Sequence, residues 1–151
     1  MYITLESDYA VRIVSELCVD GGRLDAGTIS QRCNVTLRFS LKILRKLVAS
    51  GIVNSYKGSR GGYMIAMDPK DINLRMVVEA IEGTYFFSRC LSANHACGRG
   101  MEKTCCFRKA FGEITEVIRG ELERRDFEKL TGCLREARRQ NNNNEQGQLQ
   151  A

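Results

Sequence analysis

Apolar residues recur at helical spacing near the start of the chain, where Tyr9, Ala10, Ile13, Val14 and Leu17 share one face between Ser7 and about Val19. Ser7 is placed to cap this first amphipathic helix, Asp8 and Glu16 lie on its other faces, and Gly21-Gly22 ends it. A short second helix is predicted from Ala26 to Cys33, with Ile29 and Cys33 to one side, before a turn at Asn34-Val35-Thr36. Thr36 then caps a third helix. Its expected buried stripe is Leu37, Leu41, Leu44, Leu47 and Val48, which leaves Arg38, Lys42, Arg45 and Lys46 largely outside. Short helix, tight turn and longer basic helix is the order of a helix-turn-helix, whose second member enters the DNA major groove.

The period then changes. Ile52–Tyr56 has strand character, Lys57 to Gly62 is a turn of glycines and bases, and Tyr63–Ala66 returns as a second strand. A β-hairpin with a cationic tip directly after a helix-turn-helix is a wing, and Lys57 and Arg60 are placed to reach phosphates or a narrow minor groove. No GxxxxGK[ST] run opens a helix here, so a nucleotide-binding loop fits worse. Beyond Pro69, Asp71 to Glu82 reads as another short helix with Leu74, Val77, Val78 and Ile81 inward, stopped by Gly83.

From Thr84 to Thr104 periodicity vanishes while Cys90, Cys97, Cys105 and Cys106 accumulate. The helical pattern resumes at Phe107, with Ala110, Phe111, Ile114, Val117, Ile118 and Leu122 on one stripe. No element predicted within the chain covers that stripe, so a second copy is the simplest cover. The fold class expected is therefore mostly α with a small β-hairpin wing: a winged helix-turn-helix over 1–83, a cysteine-rich loop over 84–106, and a long dimerisation helix with its C-terminal segment over 107–135. The Asn- and Gln-rich residues 136–151 are expected to be disordered.

Composition narrows the chemistry. At 151 residues, with 43% hydrophobic and 27% charged residues, the chain has globular values. Neither a basic-then-apolar leader nor a run of eighteen apolar residues is present, so the protein is expected in the cytosol, off the membrane. Thiols are kept reduced there, and seven cysteines, an odd number, do not make a disulfide framework. The net charge of +5 and pI near 8.9 are a mild excess, so DNA binding rests on where the bases cluster.

Six residues separate Cys90 from Cys97; seven separate Cys97 from Cys105, and eight from Cys106. Irregular loop spacing suits a cluster better than structural zinc, which normally shows a CxxC or another close pair of ligands. The missing CxxC and the lack of any supported Cys/His pair also speak against a thiol oxidoreductase, and the protein is expected not to be an enzyme. A carrier or interaction protein without DNA binding is opposed by the basic wing. Cys18 and Cys33 fall on apolar faces as inert thiols, Cys133 fits either a surface or an interface, and His95 reads as a loop residue.

Ser7-Asp8-Tyr9-Ala10-Val11-Arg12, the run from Gly51 to Tyr63, Asn73-Leu74 leading to Glu79-Ala80-Ile81-Glu82-Gly83, and the cysteine cluster together resemble the Rrf2 family of winged-helix transcription regulators over roughly residues 1–135. The cysteines resemble its cluster-binding branch, the IscR-, NsrR- and RirA-like members. The resemblance implies a homodimer that binds a pseudo-palindromic operator in double-stranded DNA. It implies DNA contacts from Thr36, Arg38, Phe39, Lys42, Lys57 and Arg60, and sensing of iron, nitric oxide or redox state through an iron–sulfur cluster. A metal-free thiol switch on the same cysteines is the alternative.

Three departures from the family pattern stand out. The recognition helix reads Phe39-Ser40-Leu41-Lys42, so its base preference should differ. Lys57 replaces the usual hairpin arginine, and the cysteine loop is longer than usual. By the resemblance the ligands are Cys90, Cys97 and Cys106, with Cys105 the alternative third. The family's histidine position holds Lys109, or Arg108 if Cys105 ligates, and cationic side chains are unsuitable there. The resemblance to nitric-oxide-sensing members offers Asp8 of the other chain instead, completing a 4Fe–4S cluster, favoured over 2Fe–2S. Read on its own spacing, Asp8 merely complements the helix dipole.

Overall fold

A computed structural model describes residues 3–58 and 61–148, with side chains through residue 137. Three helices come first, α1 (Leu5–Asp20), α2 (Ala26–Cys33) and α3 (Leu37–Ala49). The hairpin of β1 (Val53–Tyr56) and β2 (Gly62–Ile65) follows, then α4 (Leu74–Glu82), α5 (Cys106–Glu123) and α6 (Phe127–Gln148). The fold is mostly α with a small wing, as the pattern predicts. Among the described residues no helix is long and apolar enough to cross a membrane.

α1 is the central post. Its Ala10, Ile13, Val14 and Leu17 are fully buried against Ile29 of α2, Ile43, Leu44 and Leu47 of α3, and Val77 of α4. The helix starts earlier than expected because Thr4, not Ser7, is the cap: the Ser7 amide donates to Thr4 Oγ1 at 3.2 Å. Ser7 is instead buried inside the first turn. Gly21, in the left-handed region with φ 71°, closes the other end as its amide bonds Leu17 O.

The wing pairs Val53 with Ile65 and Tyr56 with Gly62 in antiparallel register. It is braced by Leu24, which exchanges backbone hydrogen bonds with Tyr63 at 3.0 and 2.7 Å. This third rung requires glycine at position 62: with φ 147°, a Cβ there would meet Leu24 O at 2.6 Å.

α6 is a separate helix within the segment expected to follow the dimerisation helix. Asp126 accepts from the Lys129 amide at 2.8 Å and Phe127 is buried, 1% exposed, with its amide donating to Ile72 O at 2.9 Å. Where composition predicts disorder from residue 136, α6 continues to Gln148. Once capped and anchored, a helix is extended cheaply, since each further residue adds a hydrogen bond without a new nucleus.

Candidate functional site

α3 turns Ser40, Ile43, Leu44 and Leu47 inward, which sets Arg38, Lys42 and Arg45 on the open side as one exposed stripe at i, i+4, i+7. The expected stripe was therefore rotated: Leu37 is 48% exposed and Leu41 only half-buried, whereas the small Ser40 is fully buried. Thr36 precedes the first turn and is exposed, with no side-chain capping bond. Phe39 is half-buried, edge-to-face with Tyr9 of α1 at 5.7 Å between centroids.

Glu6 of α1 grips the same helix. Its carboxylate lies 3.1 Å from Lys42 Nζ and 2.8 Å from Lys46 Nζ, and Lys46 also donates to Ile81 O at 3.0 Å. The hydrogen bond from Lys46, against some desolvation and aided by Lys42, holds the Glu6 carboxyl below its ordinary value. A lowered folded-state value means the grip stabilises fully above about pH 4.5 and is lost as pH falls through the lower folded value. Thermal midpoints of the wild type and Glu6→Gln should run parallel above that window and converge below it, the wild type falling more steeply. Parallel acid limbs would refute the assignment.

At the wing, Lys57 is exposed at the end of β1, while Arg60 lies outside the described residues. Arg23 stacks its guanidinium 3.8 Å from the centroid of the Tyr56 ring and so buttresses the hairpin. Periodicity offers no signal for it, because Arg23 lies in the connection after α1.

The cysteine loop is pinned at its root. The Tyr85 amide donates to Glu79 Oε1 at 3.2 Å, the Phe87 amide to the buried Thr115 Oγ1 at 3.1 Å, and the rings of Phe87 and Phe111 meet at 5.6 Å. Cys90 sits in a 3-10 turn, Arg89–Leu91, with Ser88 Oγ 3.3 Å from its sulfur and its carbonyl bonded by the Arg108 guanidinium. Cys97 opens a tight turn closed by the Gly100 amide on Cys97 O at 2.9 Å. Backbone hydrogen bonds from Met101 and Arg99 pull the Cys97 thiol below its ordinary value.

Cys105 is half-buried just before α5 and Cys106, exposed, is that helix's first residue. Cys90, Cys97 and Cys106 thus share one loop and its helical exit, but they are not brought together. Among the described residues no three His, Cys, Asp or Glu side chains are gathered to hold a metal ion. Asp8 pairs with Arg12 at 2.7 Å one turn along α1. His95 is exposed.

The profile of the Rrf2 family, described as "Iron-dependent Transcriptional regulator", matches residues 3–132. The chain belongs to that family. A rrf2-like putative HTH-type transcriptional regulator of Rhodobacter capsulatus is 31% identical over 120 residues, 74% of this chain and 80% of the relative. The fold matches that of CymR, the global cysteine regulator of B. subtilis, with TM-score 0.70 at 20% identity, covering 87% of this chain and 96% of that one. It equally matches T. potens IscR, with TM-score 0.70 at 18% identity, covering 91% and 90%. This Rrf2 regulator is a transcription factor and not an enzyme.

Another feature of the regulator escaped the sequence reading. Glu82, the last residue of α4, accepts from the Thr4 amide at 3.2 Å, from Thr4 Oγ1 at 2.9 Å and from the buried Ser7 hydroxyl. The start of α1, which carries Glu6 and Asp8, is thereby tied to the point where the cysteine loop leaves the body. Cys18, by contrast, is buried and its thiol is pushed up to about 11 by desolvation, as an inert core thiol should be.

Proposed function

We propose that this Rrf2 regulator binds a pseudo-palindromic operator as a homodimer and reports iron supply, nitric oxide or redox state through an iron–sulfur cluster on its cysteine loop. The observation that carries the sensing half is the Cys97 turn. Backbone hydrogen bonds that lower the Cys97 thiol favour the thiolate, the form that ligates iron, and Cys90 and Cys106, on the same loop and its helical exit, are the same soft donor type. The donors therefore fit the group chemically. Cys90, Cys97 and Cys106 would hold it, with Cys105 the alternative third thiolate, and Asp8 of the second copy would supply the fourth, weaker ligand of a 4Fe–4S cluster rather than a 2Fe–2S one. When bound, the cluster would supply an iron open to nitric oxide or to oxidative loss. The chain's own part is mechanical: the loop root is fastened by Glu79 and Thr115, and Glu82 and Glu6 link that root, through α1, to Lys42 and Lys46 of the recognition helix.

The same turn also suits the metal-free thiol switch, because a lowered thiol is the more readily oxidised one. Anaerobic purification with an absorption spectrum and iron and sulfide assays separates the two. Coloured protein with matched iron and sulfide supports the cluster; colourless, iron-free protein whose thiols oxidise reversibly overturns it in favour of the switch.

For DNA binding, Thr36, Arg38, Phe39 and Lys42 are assigned to the major groove and Lys57 and Arg60 to the backbone or minor groove. Phe39 and Lys42 are already engaged with Tyr9 and Glu6, so Arg38 is the freer reader of this group. Lys57→Ala should weaken binding evenly across sequences and reduce the slope of log affinity against log salt by about 0.9, the worth of one phosphate contact. An unchanged slope would remove Lys57 from the interface.

A further inference from the structure

The recognition helix exposes more apolar surface than its fold requires. Leu37 is 48% exposed and Leu41 is half-buried, and among the described residues both stand outside the core cluster, although Phe39 and Val48 of the same helix pack against it. Spaced i and i+4, the two leucines make one short strip. The strip runs beside the Arg38, Lys42 and Arg45 stripe, and with Thr36 these side chains line an open groove of about 990 Å³. It also lies at the N-terminal half of the second helix of a helix-turn-helix, the part that meets base edges. An apolar strip bordered by cations calls for a partner that is polyanionic and yet offers isolated apolar groups. Duplex DNA is such a partner, and the one apolar group on its major-groove edge is the thymine C5-methyl.

We propose that Leu37 and Leu41 form a specificity strip that reads thymine methyl groups in the operator half-site, while the flanking bases hold the helix to the DNA. The proposal rests on the DNA-binding reading above and adds to it a chemical identity for the base recognised. Arg38 selects by hydrogen bonding; Leu37 and Leu41 select by burying methyls, which hydrogen bonding does not detect.

The test uses the full-length, anaerobically purified protein. Bound duplexes are first selected from a random pool. Each invariant thymine of the selected site is then replaced, one at a time, by uracil, which removes the methyl and leaves every hydrogen-bonding group in place. The wild type should bind about four-fold more weakly at one or two positions per half-site, the ratio expected for one buried carbon. Leu37→Ala and Leu41→Ala should each bind the thymine and uracil duplexes equally at their own position; Leu37, being exposed, can be truncated without opening the core. The inference is overturned if the wild type is indifferent to uracil everywhere, as it would be if the strip docked a protein. It is also overturned if the selected site lacks an invariant thymine, or if both alanine variants retain the wild-type penalty. A protein that selects no duplex at all overturns the DNA-binding reading and takes this inference with it. Selection without methyl dependence overturns the inference alone.

Discussion

Cys97→Ser should leave the fold intact and remove the cluster, taking protein-bound iron from about four atoms per chain to near none. The effect should be large because Cys97 lies in a turn closed by the Gly100 amide, where backbone hydrogen bonds from Met101 and Arg99 lower its thiol and favour the thiolate form that ligates iron. A serine hydroxyl keeps the turn but is a hard, protonated donor, poorly matched to iron–sulfide chemistry. Cys133→Ser, at an exposed site whose thiol donates to the Leu130 carbonyl, should retain full iron and serves as the control. Cys105→Ser should also retain the cluster, and Asp8→Ala should keep the dimer while altering the spectrum or stability of the cluster. Full iron content in Cys97→Ser would end the cluster assignment on this loop. Iron loss in Cys105→Ser together with an unaffected Asp8→Ala would move the third ligand to Cys105 and exclude the cross-subunit carboxylate.

How far these sites could be read in advance depended on the kind of signal each residue carries. The helix-turn-helix and wing were legible because their glycines and turn residues are obligatory: Gly21 needs its left-handed φ, and Gly62 has no room for a Cβ. The facing of α3 was not. A stripe through Leu37, Leu41, Leu44, Leu47 and Val48 and one through Ser40, Ile43, Leu44 and Leu47 are both helical, and hydrophobicity alone favours the leucines. Close packing against α1 favours the small Ser40 inside, which turns Leu37 out to solvent.

Ser7 misled for a related reason. Its hydroxyl reads as a cap locally, yet its partner is Glu82, seventy-five residues on, and no local pattern encodes that pairing. α6 did carry a signal in Asp126, three before Lys129, and in the apolar Phe127, Leu130 and Leu134, but the polar tail behind it masked the pattern. Type and spacing single the cysteines out as candidate donors, and the fold places Cys90, Cys97 and Cys106 on one loop and its helical exit without gathering them. Spacing does not distinguish Cys97 from the others, because the backbone hydrogen bonds that lower its thiol exist only in the folded turn.

Ile114→Glu combined with Val117→Glu should convert the proposed dimer to a monomer of 17.0 kDa. The choice of positions follows from how α5 divides its apolar stripe. Phe111, Ile118 and Leu122 are half-buried on the side of the buried Thr115, toward the chain's own body. Phe107 and Val117, each 65% exposed, and Ile114, 40% exposed, face away from it. A contiguous exposed apolar face is where the proposed isologous contact would lie, and two glutamates placed there would meet their symmetry mates as unpaired charges. Ile118→Glu would be a poorer probe because it would also disturb packing within the chain. Losing the second recognition helix removes the effective-concentration gain of two linked half-sites, so operator affinity should fall on the order of 10²–10⁴-fold while binding to a single half-site is retained. Sedimentation at micromolar concentration, run beside half-site and full-site titrations, checks both parts. A wild type that sediments as a monomer, or a double variant that stays dimeric, would show that α5 is covered by something other than a second copy.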